Sequence, residues 1–249
     1  MTHRKIDIGA VLSRVFEIYG KTAGTVIPIA LVLFIPVALL SAIFNDSGFG
    51  QLLANLVSII ASLWFAGIVV KAVQDVHEDG RLDASAGELF GSVTHVLFPL
   101  FLVGLVGGIA IAFGLILFII PGLILITIWS VAGPVVVLEN PGVFKALGRS
   151  RDLVRGNGWQ VFGVLVAIFA IVIVASIVIG SIAAIGDSFV LTFIVTLLLM
   201  LALAPLQALV QAVLYFALRE AQGAPALTTS MEVVGDSAGG GFTAPEAPA

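Results

Sequence analysis

The chain has 249 residues, of which 60% are hydrophobic and only 10% are charged. A soluble globular domain is typically about 45–50% apolar and about 25% charged, so this composition excludes an ordinary water-soluble fold. The chain has no cysteines, which excludes disulfides, thiolate metal sites and a cysteine nucleophile. The formal net charge of −4 says little here, because the basic residues are sorted along the chain.

Apolar segments of membrane-spanning length follow one another along the chain. They cover residues 25–44, 52–70, 96–138, 159–185 and 189–216. A helix needs about 20 apolar residues to cross a bilayer, so the stretch 96–138 is long enough for two spans. The pair Pro121–Gly122 predicts a tight turn between them. The predicted fold class is therefore an all-α, polytopic membrane helix bundle with six transmembrane helices.

Orientation follows from the distribution of lysine and arginine. If the N-terminus faces the cytoplasm, all 11 basic residues fall in cytoplasmic stretches, and the outward connections contain only Asp46 and Asp187 as charged residues. Cytoplasmic loops of membrane proteins are enriched in lysine and arginine. We therefore expect a multi-pass protein of the cell membrane, either an inner or a plasma membrane, with both termini in the cytoplasm.

Three amphipathic stretches precede the membrane hairpins, near residues 6–20, 85–95 and 141–156. Ser85 and Glu88 have the spacing of a capping box at the start of the second. Around the third, Asn140 is expected to cap, Pro141 to take the first helical position and Gly156 to end the helix. Each stretch predicts an interfacial helix on a transmembrane domain of residues 1–220. Residues 221–249 are rich in Ala, Gly and Pro and predict a disordered cytoplasmic tail.

Basic residues are concentrated on the third of these helices. They are Lys145, Arg149, Arg151 and Arg155. Basic side chains on an interfacial helix attract anionic headgroups. These four are therefore the predicted lipid headgroup contacts, and the predicted partner is the lipid bilayer. No nucleic-acid partner is expected.

No catalytic constellation is found. The chain has three histidines, and none lies in a metalloprotease motif or beside a candidate nucleophile. An acidic loop holds His77 with Asp75, Glu78, Asp79 and Asp83, but its spacing matches no calcium loop, so a solvated loop is favoured over a cation site. No catalytic, metal or cofactor site is predicted, and the chain is not expected to be an enzyme.

The most polar feature within the apolar segments is on the sixth. Pro205 lies near its middle, and Gln207 and Gln211 follow one turn apart on one face. They indicate either hydrogen bonding between helices or a position already near the headgroups, which together are favoured, or a cavity-lining pair in a kinked helix. On the third segment Gly104 and Gly108 form a GxxxG pair, which predicts close helix packing within the bundle or between copies of the chain.

One segment carries a family resemblance. The run Glu139-Asn140-Pro141-Gly142 is followed by the basic helix, Gly156 and Trp159, and it is preceded by Pro121–Gly122, Trp129 and Pro134. This pattern resembles the membrane domain attached to some bacterial glycerophosphoryl diester phosphodiesterases and related stand-alone bacterial membrane proteins of unknown function. In that family the hydrolase chemistry belongs to a separate barrel domain. A barrel of that kind takes about 250 residues, so the resemblance does not imply the activity here.

These observations predict a non-enzymatic integral membrane protein that organises lipid or partner proteins. The alternative is a transporter or lipid-translocating protein with a pathway near Pro205, Gln207 and Gln211. The scarcity of ionisable groups within the spans argues against a proton-coupled carrier. A homo-oligomer or another membrane partner is left open.

Overall fold

The computed structural model describes residues 5–44, 47–79, 84–183 and 189–223. Over these residues the chain is helical and contains no β-strand, which confirms the predicted all-α class. A single 3₁₀ turn covers Thr94–Val96. The α-helices are α1 (Ile8–Ile43), α2 (Gly48–Asp79), α3 (Ala86–Val93), α4 (Leu97–Leu117), α5 (Ile119–Ile128), α6 (Ala132–Glu139), α7 (Val143–Val154), α8 (Gly158–Ala183) and α9 (Phe189–Ala221).

Within the described ranges, six helical stretches are long and apolar enough to cross a membrane. They are Ile8–Ile43, Gly48–Glu78, Ala86–Leu117, Ile119–Glu139, Gly158–Val178 and Phe193–Ala221. They correspond in order to the six apolar segments of the sequence. The apolar stretch 96–138 is divided between the third and the fourth of these helices, as expected from its length.

The first predicted interfacial helix is not a separate element. Residues 6–20 were expected to lie beside the first span, but Ile8–Ile43 is one continuous helix of 36 residues, which Asp7 caps by accepting a 2.8 Å hydrogen bond from the Ala10 backbone. Val11, Val15 and Ile18 are buried in the protein core. The apolar stripe that suggested a membrane-surface helix therefore packs on neighbouring helices.

The second predicted interfacial helix, 85–95, forms α3 and continues through the 3₁₀ turn into α4. The Ser85–Glu88 capping box is confirmed in both of its hydrogen bonds. Leu89 and Val93 are buried, so this helix too turns apolar residues towards the protein.

The turn predicted at Pro121–Gly122 is wrong by a few residues. The break falls at Phe118, whose backbone is extended, and Pro121 and Gly122 lie in the first turn of α5. Proline is tolerated there because the first backbone N–H groups of a helix have no intrahelical acceptor. Gly122 faces Gly114 and Leu115 so closely that a Cβ would lie 2.8 Å from the Leu115 nitrogen. Glycine at this position therefore permits the close approach of α4 and α5.

Left-handed backbone conformations separate α6 from α7. Asn140 ends α6 with φ of 42°, and Gly142 precedes α7 with φ of 85°. The prediction that Asn140 caps α7 is therefore wrong, since its backbone N–H instead donates to the Val136 carbonyl of α6. The predicted stop at Gly156 is confirmed by its φ of 91°, just after α7.

The core lies mainly between α1, α2 and α9, which pack against one another extensively. Phe34 of α1 meets Phe65 of α2 edge to face, with ring centroids 5.4 Å apart. α8 packs on α9, and the α4–α5 hairpin lies to one side with many exposed apolar residues near its tip.

One end of the bundle gathers segments that are distant in sequence. The Ile6 backbone donates to Asn157 at 3.1 Å, Gln222 donates to the Asp152 carbonyl at 2.8 Å, and His77 lies 3.6 Å from Glu220. The start of α1 and the ends of α2 and α9 therefore lie on the same side as α7. We call this side the α7 end.

We predict that Gly122→Ala lowers the free energy of unfolding by about 1–3 kcal/mol, the usual effect of overpacking. Gly108→Ala is the matched control, because a Cβ there meets no atom within 4 Å. Alanine is also the better helix former by about 0.5–1 kcal/mol. Unfolding of both variants in mild detergent would be followed by circular dichroism, and equal stability of the two would contradict this account of the hairpin.

Candidate functional site

Helix α7 has one face in the protein and one face outside. The predicted apolar stripe of α7 faces the protein. Val143 packs against the core, and the other residues of the stripe are buried: Ala146, Leu147, Ser150, Leu153 and Val154. The Ser150 hydroxyl donates to the carbonyl of Ile128 at 2.9 Å, which satisfies a carbonyl at the end of α5. The apolar face predicted to enter the membrane interface therefore serves to attach α7 to α4, α5, α6 and α9.

The four predicted headgroup contacts divide into two kinds. Arg149 is half-buried and its Nε lies 3.1 Å from the carboxylate of Glu139, so it is already paired within the protein. Lys145, Arg151 and Arg155 are exposed, and among the described residues none of the three makes an ion pair or side-chain hydrogen bond. The free positive charge of α7 therefore comes from three residues.

A polar network joins three helices at the α7 end. Glu139, the last residue of α6, receives the ion pair from Arg149 of α7 and a 2.8 Å hydrogen bond from the Tyr215 hydroxyl of α9. Arg219, one turn further along α9, reaches the same hydroxyl at 3.5 Å, and its guanidinium lies over the Tyr215 ring at 5.9 Å. Tyr215 is fully buried. The carboxylate thus fixes the positions of α6, α7 and α9 relative to one another.

An apolar groove of about 890 Å³ runs between α5 and α8 and reaches the end of α7. Ile120, Ile124 and Phe162 line its wall, and Lys5, Gly156 and Trp159 lie at its rim. We call this the α5–α8 groove. Trp159 is 83% exposed beside the groove. The groove combines a cationic rim with an apolar wall.

Two smaller clefts lie on either side of Gln211. The α4–α6 cleft, about 300 Å³, lies between α2, α4, α6 and α9 and includes Gly107 and Trp129 in its wall. The α8–α9 cleft, also about 300 Å³, lies between α5, α8 and α9 and includes Gln207. Gln211 lines both clefts. Of the three residues predicted to form an intramembrane polar site, Gln207 and Gln211 therefore line clefts. Pro205 is buried in a continuous α9 and lines neither cleft.

The glycine pair Gly104–Gly108 does not pack against another helix. A Cβ at either position would meet no atom within 4 Å, and both residues line the α4–α6 cleft. The predicted close approach within the bundle is therefore wrong for this pair. Small residues here leave space open instead of bringing backbones together.

The acidic loop forms separate local contacts where it is described. Asp75 accepts a hydrogen bond from the Ala84 backbone at 3.1 Å, and Glu78 accepts one from Gln74 at 2.9 Å. His77 stacks on Phe216 with ring centroids 4.4 Å apart. Within the described ranges no group of three or more His, Cys, Asp or Glu residues is arranged to hold a metal, and Asp83 lies outside those ranges.

Sequence reasoning missed Tyr215 and Asn157. Tyr215 stands one turn after Gln211 in the apolar run, so a polar group on the same helical face was the available signal. Asn157 is buried and accepts the Ile6 N–H. Its partner is 151 residues away in the chain, and no local pattern indicates such a pairing.

We predict that Tyr215→Phe lowers the free energy of unfolding by about 1.5–3 kcal/mol, because a buried hydrogen bond to a charged group is lost. Tyr19→Phe is the matched control, since Tyr19 is the only other tyrosine and the structure gives its hydroxyl no hydrogen bond among the described residues. Combining Tyr215→Phe with Glu139→Gln in a double-mutant cycle measures the coupling. Strictly additive effects would show that the network does not hold these helices together.

Comparison with known proteins identifies a family for this chain. The model of the family described as Domain of unknown function (DUF8558) matches residues 88–222, from α3 to just beyond α9 and more than half of the chain. No curated protein and no solved structure matches significantly. The match does not bear on the resemblance to phosphodiesterase-associated membrane domains, which stays a prediction. The chain belongs to the DUF8558 family, and the matched region contains the Glu139 network, α7 and Gln211.

Proposed function

We propose that this chain is a non-enzymatic, multi-pass membrane protein with six spans and a cytoplasmic α7 end that binds anionic lipid headgroups. The observation that carries the proposal is the arrangement of α7. Its apolar face is held in the protein, while Lys145, Arg151 and Arg155 are exposed and have no counter-ion among the described residues. Because the helix is fixed, its exposed charges can bind a ligand without the helix first having to be ordered.

On this proposal the cations of α7 bind the headgroup of a lipid, and the α5–α8 groove takes its acyl chain. A basic residue near an anionic membrane surface contributes about 1 kcal/mol, and salt screens the attraction. The α5–α8 groove offers apolar contact to an acyl chain, with Lys5 and the exposed Trp159 at its rim. Tryptophan favours the headgroup level of a bilayer, so this position suits a membrane-facing groove. Arg149 is not part of the proposed surface, since Glu139 already neutralises it.

Two observations support the membrane topology. Many large apolar side chains of the described residues are exposed, for example Phe98, Phe113 and Ile116 of the third candidate span. An exposed apolar surface of this kind is favourable in lipid and unfavourable in water. The contacts at the α7 end bring together the segments that the sorting of lysine and arginine assigns to the cytoplasm.

A second candidate function is lipid or solute translocation. It is favoured by one observation, the presence of clefts on both sides of Gln211 in α9. The absence of ionisable side chains from the described lining of both clefts favours uncharged cargo.

We expect the double variant Lys145→Gln, Arg151→Gln to weaken association with anionic phosphatidylglycerol, as measured by native mass spectrometry of the full chain. Loss of two contacts of about 1 kcal/mol each corresponds to roughly a 30-fold change. The matched control is Arg14→Gln, Lys21→Gln, which removes the same two residue types, but from cations already paired with Glu17. Equal weakening by both variants, or equal binding of zwitterionic lipid, would refute the α7 surface.

We expect the α7 end to face the cytoplasm. Single cysteines at Gly48, Gly87 and Gly148 test this in a chain that has none, and a Cβ at each glycine meets no atom within 4 Å. A membrane-impermeant thiol reagent applied to intact cells should label the cysteine at position 48 and leave those at positions 87 and 148 unlabelled until the cells are opened. The reverse pattern would invert the topology, and labelling at all three positions would contradict it.

A further inference from the structure

Two glutamine side chains in α9 have unmet hydrogen-bonding capacity. Gln207 and Gln211 line the α8–α9 cleft, and the structure gives neither carboxamide a hydrogen bond to any described residue. A carboxamide can donate two hydrogen bonds and accept two more. In a bilayer core such a group is unfavourable unless something satisfies it. Among the described residues neither side chain makes the helix–helix hydrogen bond favoured from the sequence, so both carboxamides are available to a polar group in the clefts.

Four glycines shape the space around Gln211. Gly104, Gly107 and Gly108 of α4 present no side chain to the α4–α6 cleft, which is left open opposite α9. On α6, a Cβ at Gly133 would lie 3.4 Å from the Gln211 carboxamide oxygen. Glycine at 133 therefore leaves room for the carboxamide, and this contact places the Gln211 oxygen beside α6 at the cleft.

The clefts lie directly below the Glu139 network. Gln211 and Tyr215 are one turn apart on α9, and Val137 of the cleft wall is two residues from Glu139. The hydrogen bond between Tyr215 and Glu139 ties α9 to α6 next to the α4–α6 cleft. Gln211 is eight residues before Arg219, about 12 Å along the helix at 1.5 Å per residue. On the proposed topology the carboxamide therefore lies in the cytoplasmic leaflet.

The lining limits the ligand class. Among the described residues of both clefts there is no charged side chain, so nothing would compensate the charge of a phosphate or an ammonium group. The walls are otherwise apolar, with the ring of Trp129 beside Gly107. A few polar groups on apolar walls are typical of small-molecule sites.

We propose that Gln211 anchors the uncharged polar group of an amphiphile, such as the hydroxyl or ester of a neutral glycerolipid, with its acyl chain in the α4–α6 cleft. Charge complementarity selects this occupant: the site has hydrogen-bond donors and acceptors but no ion. The site differs from the α7 surface in position and in ligand class, so either can fail while the other holds.

The test uses the single tryptophan in the cleft. Trp64→Phe and Trp159→Phe leave Trp129 as the only indole of the three in the full-length chain. A monoacylglycerol with a brominated acyl chain, titrated in detergent, should quench Trp129 saturably. A phosphatidylglycerol with the same chain should bind at least about tenfold more weakly, because its charge has no partner in the cleft.

Two variants probe the site independently. Gln211→Leu removes the hydrogen-bonding group, and Gly108→Leu fills the cleft from the opposite wall, where the structure has open space. Each variant should weaken the binding of the monoacylglycerol by about tenfold or more. Gln74→Leu is the matched control, since Gln74 of α2 lines neither cleft nor the α5–α8 groove, and it should leave the affinity unchanged.

The outcomes separate the alternatives. No saturable quenching would mean that water alone fills the clefts and would overturn the proposal. Equal affinity for the anionic probe would refute the ligand class, and an unchanged affinity in Gln211→Leu would refute the anchor. If that variant fails to fold, Gly108→Leu still decides whether the probe occupies the cleft. The phosphatidylglycerol titration is made in the Lys145→Gln, Arg151→Gln background, because the α5–α8 groove includes Ile128, next to Trp129, and lipid bound there would also quench the indole.

Discussion

The carboxylate of Glu139 is the point on which the α7 end of the bundle depends. It accepts a 2.8 Å hydrogen bond from the hydroxyl of Tyr215, which is fully buried, and it forms an ion pair with Arg149 at 3.1 Å. Buried polar groups are unfavourable unless they are satisfied, so each partner restricts where the others can lie. Three helices from separate parts of the chain, α6, α7 and α9, are thereby held in one arrangement.

Both proposed binding regions follow from that arrangement. With α7 fixed by Arg149 and by the Ser150 hydroxyl, its remaining cations are exposed. The contact between α6 and α9 lies one turn along α9 from Gln211, which lines the uncharged α4–α6 cleft. We infer that the protein meets anionic and neutral lipid through different residues.

The parts of the fold that were predicted correctly depend on short-range chemistry. The Ser85–Glu88 box and the stop at Gly156 involve residues at most a few positions apart, so the sequence pattern is sufficient. The predicted turn at Pro121–Gly122 failed because proline also suits the first turn of a helix, and choosing between the two requires the packing of Gly122 on Leu115. The predicted packing within the bundle at Gly104 and Gly108 was wrong for a related reason. A small residue permits close helix packing, but the contact also requires a second helix at that position.

Amphipathic patterns show the same division. The sequence by itself determined that residues 8–18 and 143–154 form helices with one apolar face, because helical periodicity is local. Only the tertiary structure decided that these faces pack on protein, since an apolar stripe is equally suited to a lipid surface and to a neighbouring helix. The total of 11 basic residues and their order along the chain were likewise fixed by the sequence. Which of them remain free was decided by folding, because the acid that neutralises Arg149 is on a different helix, where the left-handed turn at Asn140 and Gly142 brings it within reach.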